Sequence, residues 1–204
     1  MSVSISASWI VVLAKDFDSA KSRLGLAMSP QARREMAVEN ACLALTAARE
    51  TAPTLAVCGS LAVAAMAKCL GVEVLVETVS AGQNAAAAFG LADIAARNAV
   101  AALLLSSDLP LVTADAIRKM MQRAERTTGP LVIAAPALGR EGTNALFLRP
   151  PQEFSLHFGH RSLPRFAEEA RRTGRAFMTH DDLRLALDID EPSDLTALSQ
   201  LRTR

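Results

Sequence analysis

The chain has 204 residues, which is enough for one large domain or two very small ones. Hydrophobic residues make up 50% of it, so it can bury a sizeable core, and 22 basic against 21 acidic side chains leave a formal net charge of +1. Without a basic excess, and with only 4% aromatic residues, the chain is expected to bind neither nucleic acid nor a charged membrane surface.

The three cysteines, Cys42, Cys58 and Cys69, form no C-x-x-C pair. An odd number of cysteines in apolar stretches predicts buried free thiols in a reducing cytosol rather than a disulfide framework or a zinc site. The N-terminus lacks the basic segment and long apolar run of a signal peptide, and no apolar run approaches the roughly 20 residues of a membrane helix. We therefore expect a cytoplasmic protein without a membrane segment.

Short apolar runs alternate with longer segments of helical pattern along the whole chain. In chain order the predicted elements are a strand at 9–14, a helix at 30–50, a strand at 55–58, a helix ending near 70, a strand at 72–76, a helix at 83–97, a strand at 100–105, a helix at 114–126, strands at 131–135 and 145–148, a helix at 163–172, strands at 176–179 and 184–189, and a terminal helix from 192. Ser29 before Pro30, and Thr113, are the expected N-caps of their helices.

The alternation of helices with nearly continuous apolar strands predicts an α/β fold with a mostly parallel sheet flanked by helices. No internal repeat, low-complexity linker or composition boundary divides the sequence, so we expect one domain over residues 1–204. Pro150 and Pro151 mark a loop, and residues 150–180 are a candidate small lobe over the site. In sheets of this kind ligands bind beyond the carboxyl ends of the strands.

The stretch LLLSSDLPLV, residues 103–112, runs from a buried strand into an aspartate. Asp108 is therefore expected just past the carboxyl end of a strand, where an α/β sheet presents its functional groups. Two interpretations fit this position. The carboxylate could cap backbone amides in a turn before Leu109 and Pro110, or it could bind a metal ion.

The stretch LALDIDEPSDL carries a second pair of carboxylates near the C-terminus. Asp188 and Asp190 are two positions apart on a segment predicted to be extended, so both side chains face the same way. Like charges this close repel each other unless a cation lies between them or one carboxyl stays protonated. Asp190 could instead cap the helix that begins at Pro192. Together with Asp108, the pair predicts an oxygen-only site, which suits Mg²⁺ and the phosphates that Mg²⁺ binds.

The stretch AKDFDSAKSRL follows the first strand and carries three cations, Lys15, Lys21 and Arg23. These side chains could clamp phosphate oxygens, or they could pair with neighbouring aspartates in a solvated charged loop. The chain has neither a G-x-x-x-x-G-K-[ST] loop nor a G-x-G-x-x-G motif, so neither standard phosphate loop is present.

Two further loops offer groups for an anion. The stretch EGTNALFL has a glycine for close backbone approach, followed by Thr143 and Asn144 as donors. The stretch HFGHRSLPRF has Gly159 and Ser162 where a helix is expected to begin, and the free amides of a helix N-terminus bind anions.

A series of these motifs, in order, resembles a known enzyme family. The segments are Lys15 followed by AKSRL, GQNAA at 82–86, SSDLPL at 106–111, GTNAL at 142–146, FGHRS at 158–162 and LDIDEPSDL at 187–195. The chain is similar over nearly its whole length to the guanylyltransferases that make the guanylated three-carbon precursor of coenzyme F-420. Members of that family use 2-phospho-L-lactate, phosphoenolpyruvate or 3-phospho-D-glycerate.

The resemblance implies a nucleotide-diphospho-sugar-transferase-like fold and Mg²⁺-dependent transfer of GMP from GTP to the phosphate of the acid, with release of pyrophosphate. Its metal-binding acids fall on Asp108, Asp188 and Asp190. Its acid contacts fall on Thr143, Gly159 and Ser162, with Asn144 beside them, its first-loop cations on Lys15, Lys21 and Arg23, and its nucleotide side on Gly82, Gln83, Asn84 and Ser107. GTP and a small phosphorylated acid are thus the expected partners, and a homodimer the expected assembly.

The sequence departs from the family pattern in the loop before GTNAL, which reads ALGRE here. Two alternatives therefore stay open. A glycosyltransferase of similar fold would use a nucleotide-sugar, but its D-x-D motif is expected after a middle strand, where this chain has Ser106, Ser107 and Asp108. A catalytically silent relative would bind nucleotide without turning it over.

Overall fold

One twisted sheet of seven strands organises the protein, whose computed structural model describes residues 8–18, 22–25, 27–79 and 81–202. The strands are β1 (Ser8–Ala14), β2 (Thr54–Cys58), β3 (Glu73–Val76), β4 (Ala101–Ser106), β5 (Leu131–Pro136), β6 (Thr143–Arg149) and β7 (Ala176–Thr179). Their spatial order is β3-β2-β1-β4-β6-β5-β7. The central strands are apolar throughout because helices cover both of their faces.

Strand β6 alone runs against its neighbours: it pairs antiparallel with β4 and β5, while the other pairings are parallel. The carboxyl ends of the six parallel strands therefore share one edge of the sheet with the amino end of β6. This arrangement brings Thr143, the first residue of β6, to the edge where Ser106 ends β4. The mostly parallel α/β fold predicted from the sequence is confirmed.

The helices are α1 (Pro30–Arg49), α2 (Leu61–Cys69), α3 (Gln83–Ala96), α4 (Ala114–Glu125), α5 (Ser162–Arg172), α6 (Leu183–Ala186) and α7 (Pro192–Arg202). Local signals place their starts. The Ser29 hydroxyl accepts the Ala32 amide ahead of Pro30, and the Thr113 hydroxyl accepts the Ala116 amide at the start of α4. Both N-caps agree with the prediction.

Two apolar layers cover the sheet. Residues of α1, α2, α4 and α6 form the layer on one face, and residues of α3 and α5 form the layer on the other. Gly90 lets α3 approach the sheet, because an added Cβ would lie 2.5 Å from Val11 Cγ1 and 2.8 Å from Val57 Cγ2. A third, smaller cluster of Leu24, Leu187, Ile189 and Leu198 joins α7 to the segment before it.

Three sequence predictions are wrong. Residues 184–189 do not form a strand, because the Asp182 side chain caps a short helix, α6, in which Leu187 N donates to Leu183 O. Residues 150–180 are no separate lobe, since α5 packs on the sheet and β7 pairs with β5. Among the cysteines, which are all free thiols, only Cys58 is buried, while Cys42 is half-buried and Cys69 is exposed. None of the described helices has the length and apolar character needed to cross a membrane.

Candidate active site

A cleft of about 670 Å³ lies at the carboxyl edge of the sheet. Its lining includes most of the residues predicted for the site: Lys15, Arg23, Gln83, Asp108, Thr143, Asn144, Gly159, Asp188 and Asp190. A more apolar groove of about 540 Å³ lies between α3 and residues 151–156, but Glu153 is the one ionisable side chain among its lining residues. The cleft, rather than the groove, is therefore the candidate active site.

Three carboxylates meet in this cleft. Asp108 follows β4, and Asp188 and Asp190 precede α7, yet one carboxylate oxygen of each lies within 4.8 Å of the others. The alternation of the 187–190 segment explains how the pair is presented. Leu187 and Ile189 are buried in the small cluster beside α7, so the aspartates between and after them face the cleft.

Neighbouring side chains hold two of these carboxylates in place. Ser106 Oγ donates to Asp108 Oδ1 at 2.7 Å, from the last residue of β4. Asn144 Nδ2 donates to the carbonyls of Leu185 and Ala186 at 3.1 and 2.9 Å and lies 3.5 Å from Asp188 Oδ1. Asn144 was predicted to bind substrate. Its amide instead ties β6 to the segment that carries Asp188, and a contact to substrate stays a prediction.

The electrostatics of the cluster are unfavourable for three ionised carboxylates. Burial raises the pKa of Asp188 to about 6, and the charges of Asp108 and Asp190 act in the same direction, while Arg140 opposes them. Asp188 is only 8% exposed, so little water screens its charge. A carboxyl whose pKa is raised by burial and by like charges is a mark of a functional site.

Arg140 supplies a positive charge beside the carboxylates. Its Nη1 lies 3.2 Å from Asp188 Oδ2 and 3.9 Å from Asp190 Oδ2, and its Nη2 donates to Asp194 Oδ2. Burial disfavours the guanidinium charge, but the hydrogen bond to Asp194 and the nearby carboxylates outweigh burial and raise the pKa of Arg140. Arg140 stays a cation at any physiological pH.

Asp194 anchors that arginine from the start of α7. Its Oδ2 accepts the backbone amides of Asp190 at 2.8 Å and Glu191 at 2.7 Å, in the manner of a helix-capping carboxylate. Burial would raise the pKa of Asp194, but hydrogen bonds from Arg140 and from these two amides hold it below its ordinary value. The same residue thus orients the Asp190 backbone and Arg140.

The predicted acid-binding residues lie at different depths. Thr143 and Gly159 line the cleft, and Gly159 has φ of 113°, a conformation that favours glycine. Ser162 is fully buried at the start of α5, and its hydroxyl donates to Thr143 Oγ1 at 3.0 Å. Ser162 therefore supports Thr143 from behind, and its predicted contact with the acid stays a prediction.

Of the three predicted first-loop cations, Lys15 and Arg23 line the cleft on the side of β1 and the short 3-10 turn Ser22–Leu24. Lys21 lies outside the described residues. Lys15 directly follows β1, so the sheet itself carries it to the edge where the carboxylates lie.

The four residues predicted to contact the nucleotide lie in different environments. Gln83 begins α3 and lines the cleft, and Gly82 precedes it with φ of 91°. The Asn84 side chain makes two hydrogen bonds to the backbone of Phe158. Its Nδ2 donates to the carbonyl oxygen at 3.1 Å, and its Oδ1 accepts the backbone N–H at 2.7 Å. Ser107 is half-buried after β4 and is not part of the cleft lining. Nucleotide contacts by these residues stay predictions.

Sequence reasoning missed Arg140, Asp194 and Ser106 as parts of the site. The serine could have been found, because Ser106 and Asp108 are two positions apart at the end of one strand. Asp194 follows Pro192 by two positions, which is where a carboxylate caps a helix start. Arg140 has no such local signal, since its partners lie 48 to 54 positions away.

The donor set fits a hard divalent cation. Its ligand atoms are carboxylate oxygens, they converge within 4.8 Å, and one of the carboxyls is buried with a raised pKa. Small hard ions such as Mg²⁺ bind through a few carboxylates together with water and substrate phosphates. The cleft can therefore hold an ion, and the Lys15 and Arg23 side chains in the same lining are suited to phosphate oxygens.

Solved structures share this fold at low sequence identity. A protein from Desulfovibrio desulfuricans G20, named for the nucleotide-diphospho-sugar transferases, aligns with a TM-score of 0.78 at 15% identity and covers 98% of this chain and 89% of its own. A nucleotidyl transferase from Methanothermobacter aligns with a TM-score of 0.64 at 17% identity over 97% and 99%. A Mycobacterium tuberculosis H37Rv protein solved with manganese aligns at 0.54 and 18% over 95% and 98%.

The comparison of sequences points to a narrower group of proteins than the comparison of folds. The phosphoenolpyruvate guanylyltransferase of Rubrobacter xylanophilus is 32% identical over 190 residues, which is 92% of this chain and 91% of the relative. The enzyme of the same name from Conexibacter woesei is 32% identical over 199 residues, covering 95% and 88%. The 2-phospho-L-lactate guanylyltransferase of Haloferax volcanii is 41% identical over 92 residues, covering 45% and 41%.

The family described as "Guanylyl transferase CofC like" matches residues 8–200, which include every described residue of the cleft. The resemblance noted in the sequence motifs is confirmed, and the chain belongs to this guanylyltransferase family of nucleotidyltransferases.

Proposed function

We propose that this protein transfers GMP from GTP to the phosphate of a three-carbon phospho-acid and releases pyrophosphate, in the biosynthesis of coenzyme F-420. The observation that carries the proposal is the cluster of Asp108, Asp188 and Asp190, whose oxygens converge within 4.8 Å in a cleft that Lys15 and Arg23 also line. Family membership and the guanylyltransferase relatives supply the nucleotide and the reaction class.

The reaction needs positioning and charge neutralisation more than a protein nucleophile. An oxygen of the acid's phosphate forms a bond to the α-phosphorus of GTP, and the bond from that phosphorus to the bridging oxygen of pyrophosphate breaks. Pyrophosphate leaves with the electron pair. No protein base is required, because a phosphate monoester is already ionised near neutral pH.

We assign different cleft residues to different parts of the two substrates. Lys15 and Arg23 are assigned to the triphosphate, where Arg can bind two oxygens at once and Lys acts as a point charge. Lys21, predicted for the same role, remains part of this proposal. Thr143 and the Gly159 backbone are assigned to the acid, with Ser162 holding the Thr143 hydroxyl at 3.0 Å. Gly82, Gln83, Asn84 and Ser107 are assigned to the nucleotide.

Asp108, Asp188 and Asp190 are assigned to Mg²⁺. When bound, the ion supplies Lewis-acid charge neutralisation at phosphate oxygens. The manganese complex of the Mycobacterium tuberculosis neighbour is consistent with a divalent ion on this fold. A cation shared by these carboxylates would offset the burial and the like charges that raise the pKa of Asp188.

Phosphoenolpyruvate is the acid we propose to test first. Relatives named phosphoenolpyruvate guanylyltransferase align over 92% and 95% of this chain, while the relative from Haloferax volcanii named for 2-phospho-L-lactate aligns over 45% of it. The glycosyltransferase alternative has no comparable support, because the family match is to guanylyltransferases.

The decisive experiment offers GTP and Mg²⁺ with phosphoenolpyruvate, 2-phospho-L-lactate or 3-phospho-D-glycerate in separate reactions. Pyrophosphate release is followed, and the guanylated product is identified by mass. Release with one acid and the matching product mass is the expected result. Binding of GTP without release in all three reactions would contradict the proposal and favour the catalytically silent relative.

A further inference from the structure

Arg161 lies at the outer rim of the cleft, and we propose that it binds the carboxylate of the phospho-acid. In this assignment the Arg161 guanidinium exchanges the carboxylate of Glu141 for that of the acid. The assignment rests on the proposed function and deepens it, because it gives one charged group of the acid a named partner in this chain.

Two neighbouring loops place Arg161 beside residues that are assigned to the acid or support them. Thr143 begins β6 two positions after Glu141, and Ser162 begins α5 directly after Arg161. The loops are fastened to each other, since Leu163 N donates to Glu141 O at 3.0 Å and Ser162 Oγ donates to Thr143 Oγ1 at 3.0 Å. Arg161 and Glu141 therefore lie at the end of the cleft where we place the acid.

The ion pair that Arg161 makes is exposed to solvent. Its Nε lies 2.8 Å from Glu141 Oε2, and the two side chains are 60% and 59% exposed. Arg161 also borders a neighbouring depression of about 400 Å³ along α5, which places it at the rim rather than in the depth of the cleft. An exposed pair of this kind contributes little to stability, because water screens both charges. A carboxylate that enters the cleft can therefore replace Glu141.

The other lysine and arginine side chains in the described part of the cleft lining already have assignments. Lys15 and Arg23 are assigned to the triphosphate, and Arg140 lies 3.2 Å from Asp188 Oδ2. Arg161 remains for the acid. A guanidinium suits a carboxylate, because its fork of N–H donors can bind both oxygens at once.

The charged groups of the acid differ in the depth that they need. The phosphate has to reach GTP beside the carboxylates assigned to Mg²⁺, and Asp188 among them is buried. The carboxylate extends from the same small molecule and can reach the rim. Arg161 has φ of 54°, a conformation that glycine adopts more readily, so this position carries a long cation at a cost in backbone strain. Such strain is typical of residues that serve a site.

The test measures binding of the acid without turnover. Each of the three acids is titrated by calorimetry into the full-length protein with Mg²⁺ and a GTP analogue whose α–β bridging oxygen is replaced by a methylene group. Ethyl phosphate, which has no carboxylate, is measured as a competitor of the acid that binds most tightly. The variants are Arg161→Gln, Arg161→Lys and Glu141→Gln. The matched control is Arg171→Gln, because Arg171 also pairs with a glutamate at the exposed surface of α5.

We expect Arg161→Gln to weaken binding of the acid by about tenfold or more, because a charged hydrogen-bond donor is lost. Arg161→Lys should weaken binding by less, and Arg171→Gln should not change it. Glu141→Gln should instead tighten binding by a few fold, because it removes the group that competes for the guanidinium. Ethyl phosphate should bind equally to the wild type and to Arg161→Gln.

Three results would overturn the inference. Weaker binding of the acid to both Arg161→Gln and Glu141→Gln would show that the ion pair only holds the two loops together. Equal weakening of the acid and of ethyl phosphate in Arg161→Gln would assign Arg161 to the phosphate. A wild type that binds none of the three acids would leave the proposed subsite without a ligand.

The outcome is separable from that of the proposed function. The same preparations are assayed with GTP for guanylated product by mass. Product from the wild type and from Arg161→Gln, with an unchanged KM for the acid, would contradict the role of Arg161 and leave the function standing. Acid binding that depends on Arg161 as expected, without product from any acid, would contradict the function and leave the carboxylate subsite standing.

Discussion

Two arginine–carboxylate clusters in this molecule differ in the pKa of their carboxyl groups: the pKa of Asp188 in one is raised, and the pKa of Asp182 in the other is lowered. The Arg140 cluster consists of Arg140 with Asp108, Asp188, Asp190 and Asp194, and it lies in the cleft. The Arg184 cluster consists of Arg184 with Asp182 and Asp115, and it joins α6 to α4. The pKa of Asp188 is raised to about 6, while hydrogen bonds from Arg184 hold the pKa values of Asp182 and Asp115 below their ordinary range.

Burial and charge balance account for the difference. In the Arg184 cluster, Lys119 also pairs with Asp115, so two cations serve two carboxylates near the surface. In the Arg140 cluster the guanidinium is shared by Asp188, Asp190 and Asp194, and Asp188 is buried. The first arrangement leaves the pKa of Asp182 lowered, whereas the second leaves the pKa of Asp188 raised. A raised pKa at a buried carboxyl supports the cation site that we propose there.

The largest expected difference between the clusters is in turnover. Asp108→Asn should lower the rate of pyrophosphate release by roughly 100-fold or more, because it removes a carboxylate that we assign to the metal ion. Asp115→Asn in the Arg184 cluster is the matched control and should keep the wild-type rate. Circular dichroism and thermal melting should show both variants folded. An Asp108→Asn variant that turns over within a few fold of the wild type would contradict the metal assignment.

A smaller effect on catalysis is expected at Ser162, which supports Thr143 in the cleft. Ser162→Ala removes the donor that holds Thr143 Oγ1, so the KM for the acid should rise about tenfold, the weight of a lost hydrogen bond, while the KM for GTP changes little. Ser8→Ala is the control, because Ser8 is a buried serine at the start of β1, away from the cleft. Equal changes in both KM values would assign Ser162 to general structure.

The stability of the ion-free protein should respond in opposite senses in the two clusters. The pKa of Asp188 is raised in the folded state, so its contribution to stability is present below the unfolded value near 4 and is lost as the pH rises through about 6. At pH 7.5 Asp188→Asn should therefore raise the free energy of unfolding by up to about 3 kcal/mol, and the gain should vanish near pH 4. Urea unfolding with a chelator present measures both values. A loss of stability at pH 7.5 would contradict the raised pKa of Asp188.

Substitution of Asp182 should change the free energy of unfolding in the opposite direction. Its pKa is lowered in the folded state, so its contribution is present above the unfolded value near 4 and is lost as the pH falls through the folded one. Asp182 also caps α6, its Oδ1 accepting the Arg184 amide at 3.0 Å. Asp182→Ala should lower the free energy of unfolding by about 1 kcal/mol at pH 7.5, and by less in acid. The same urea titrations test this, and a gain in stability on substitution would contradict the comparison.

Much of the fold could be predicted from local sequence patterns. Apolar runs predicted all seven strands of the sheet, and Ser29 and Thr113 predicted where two helices begin. At 184–189 the prediction of a strand is wrong, although Leu185, Leu187 and Ile189 alternate along this segment and are all buried. Alternation reports which side chains face the core, but the backbone there satisfies its hydrogen bonds in a helical turn started by Asp182.

The amino-acid sequence by itself determined the α/β class, the strand ends that carry Lys15 and Asp108, and the two-residue spacing that turns Asp188 and Asp190 to one side. These features depend on periodicity and on neighbours within a few positions. The tertiary structure decided that Asp108 meets carboxylates 80 positions away, because antiparallel β6 starts at the same sheet edge and Asn144 ties it to the segment before Asp188. It also decided that Arg140 lies on that cluster, since a salt bridge between distant loops depends on how the sheet brings the loops together and leaves no pattern along the chain.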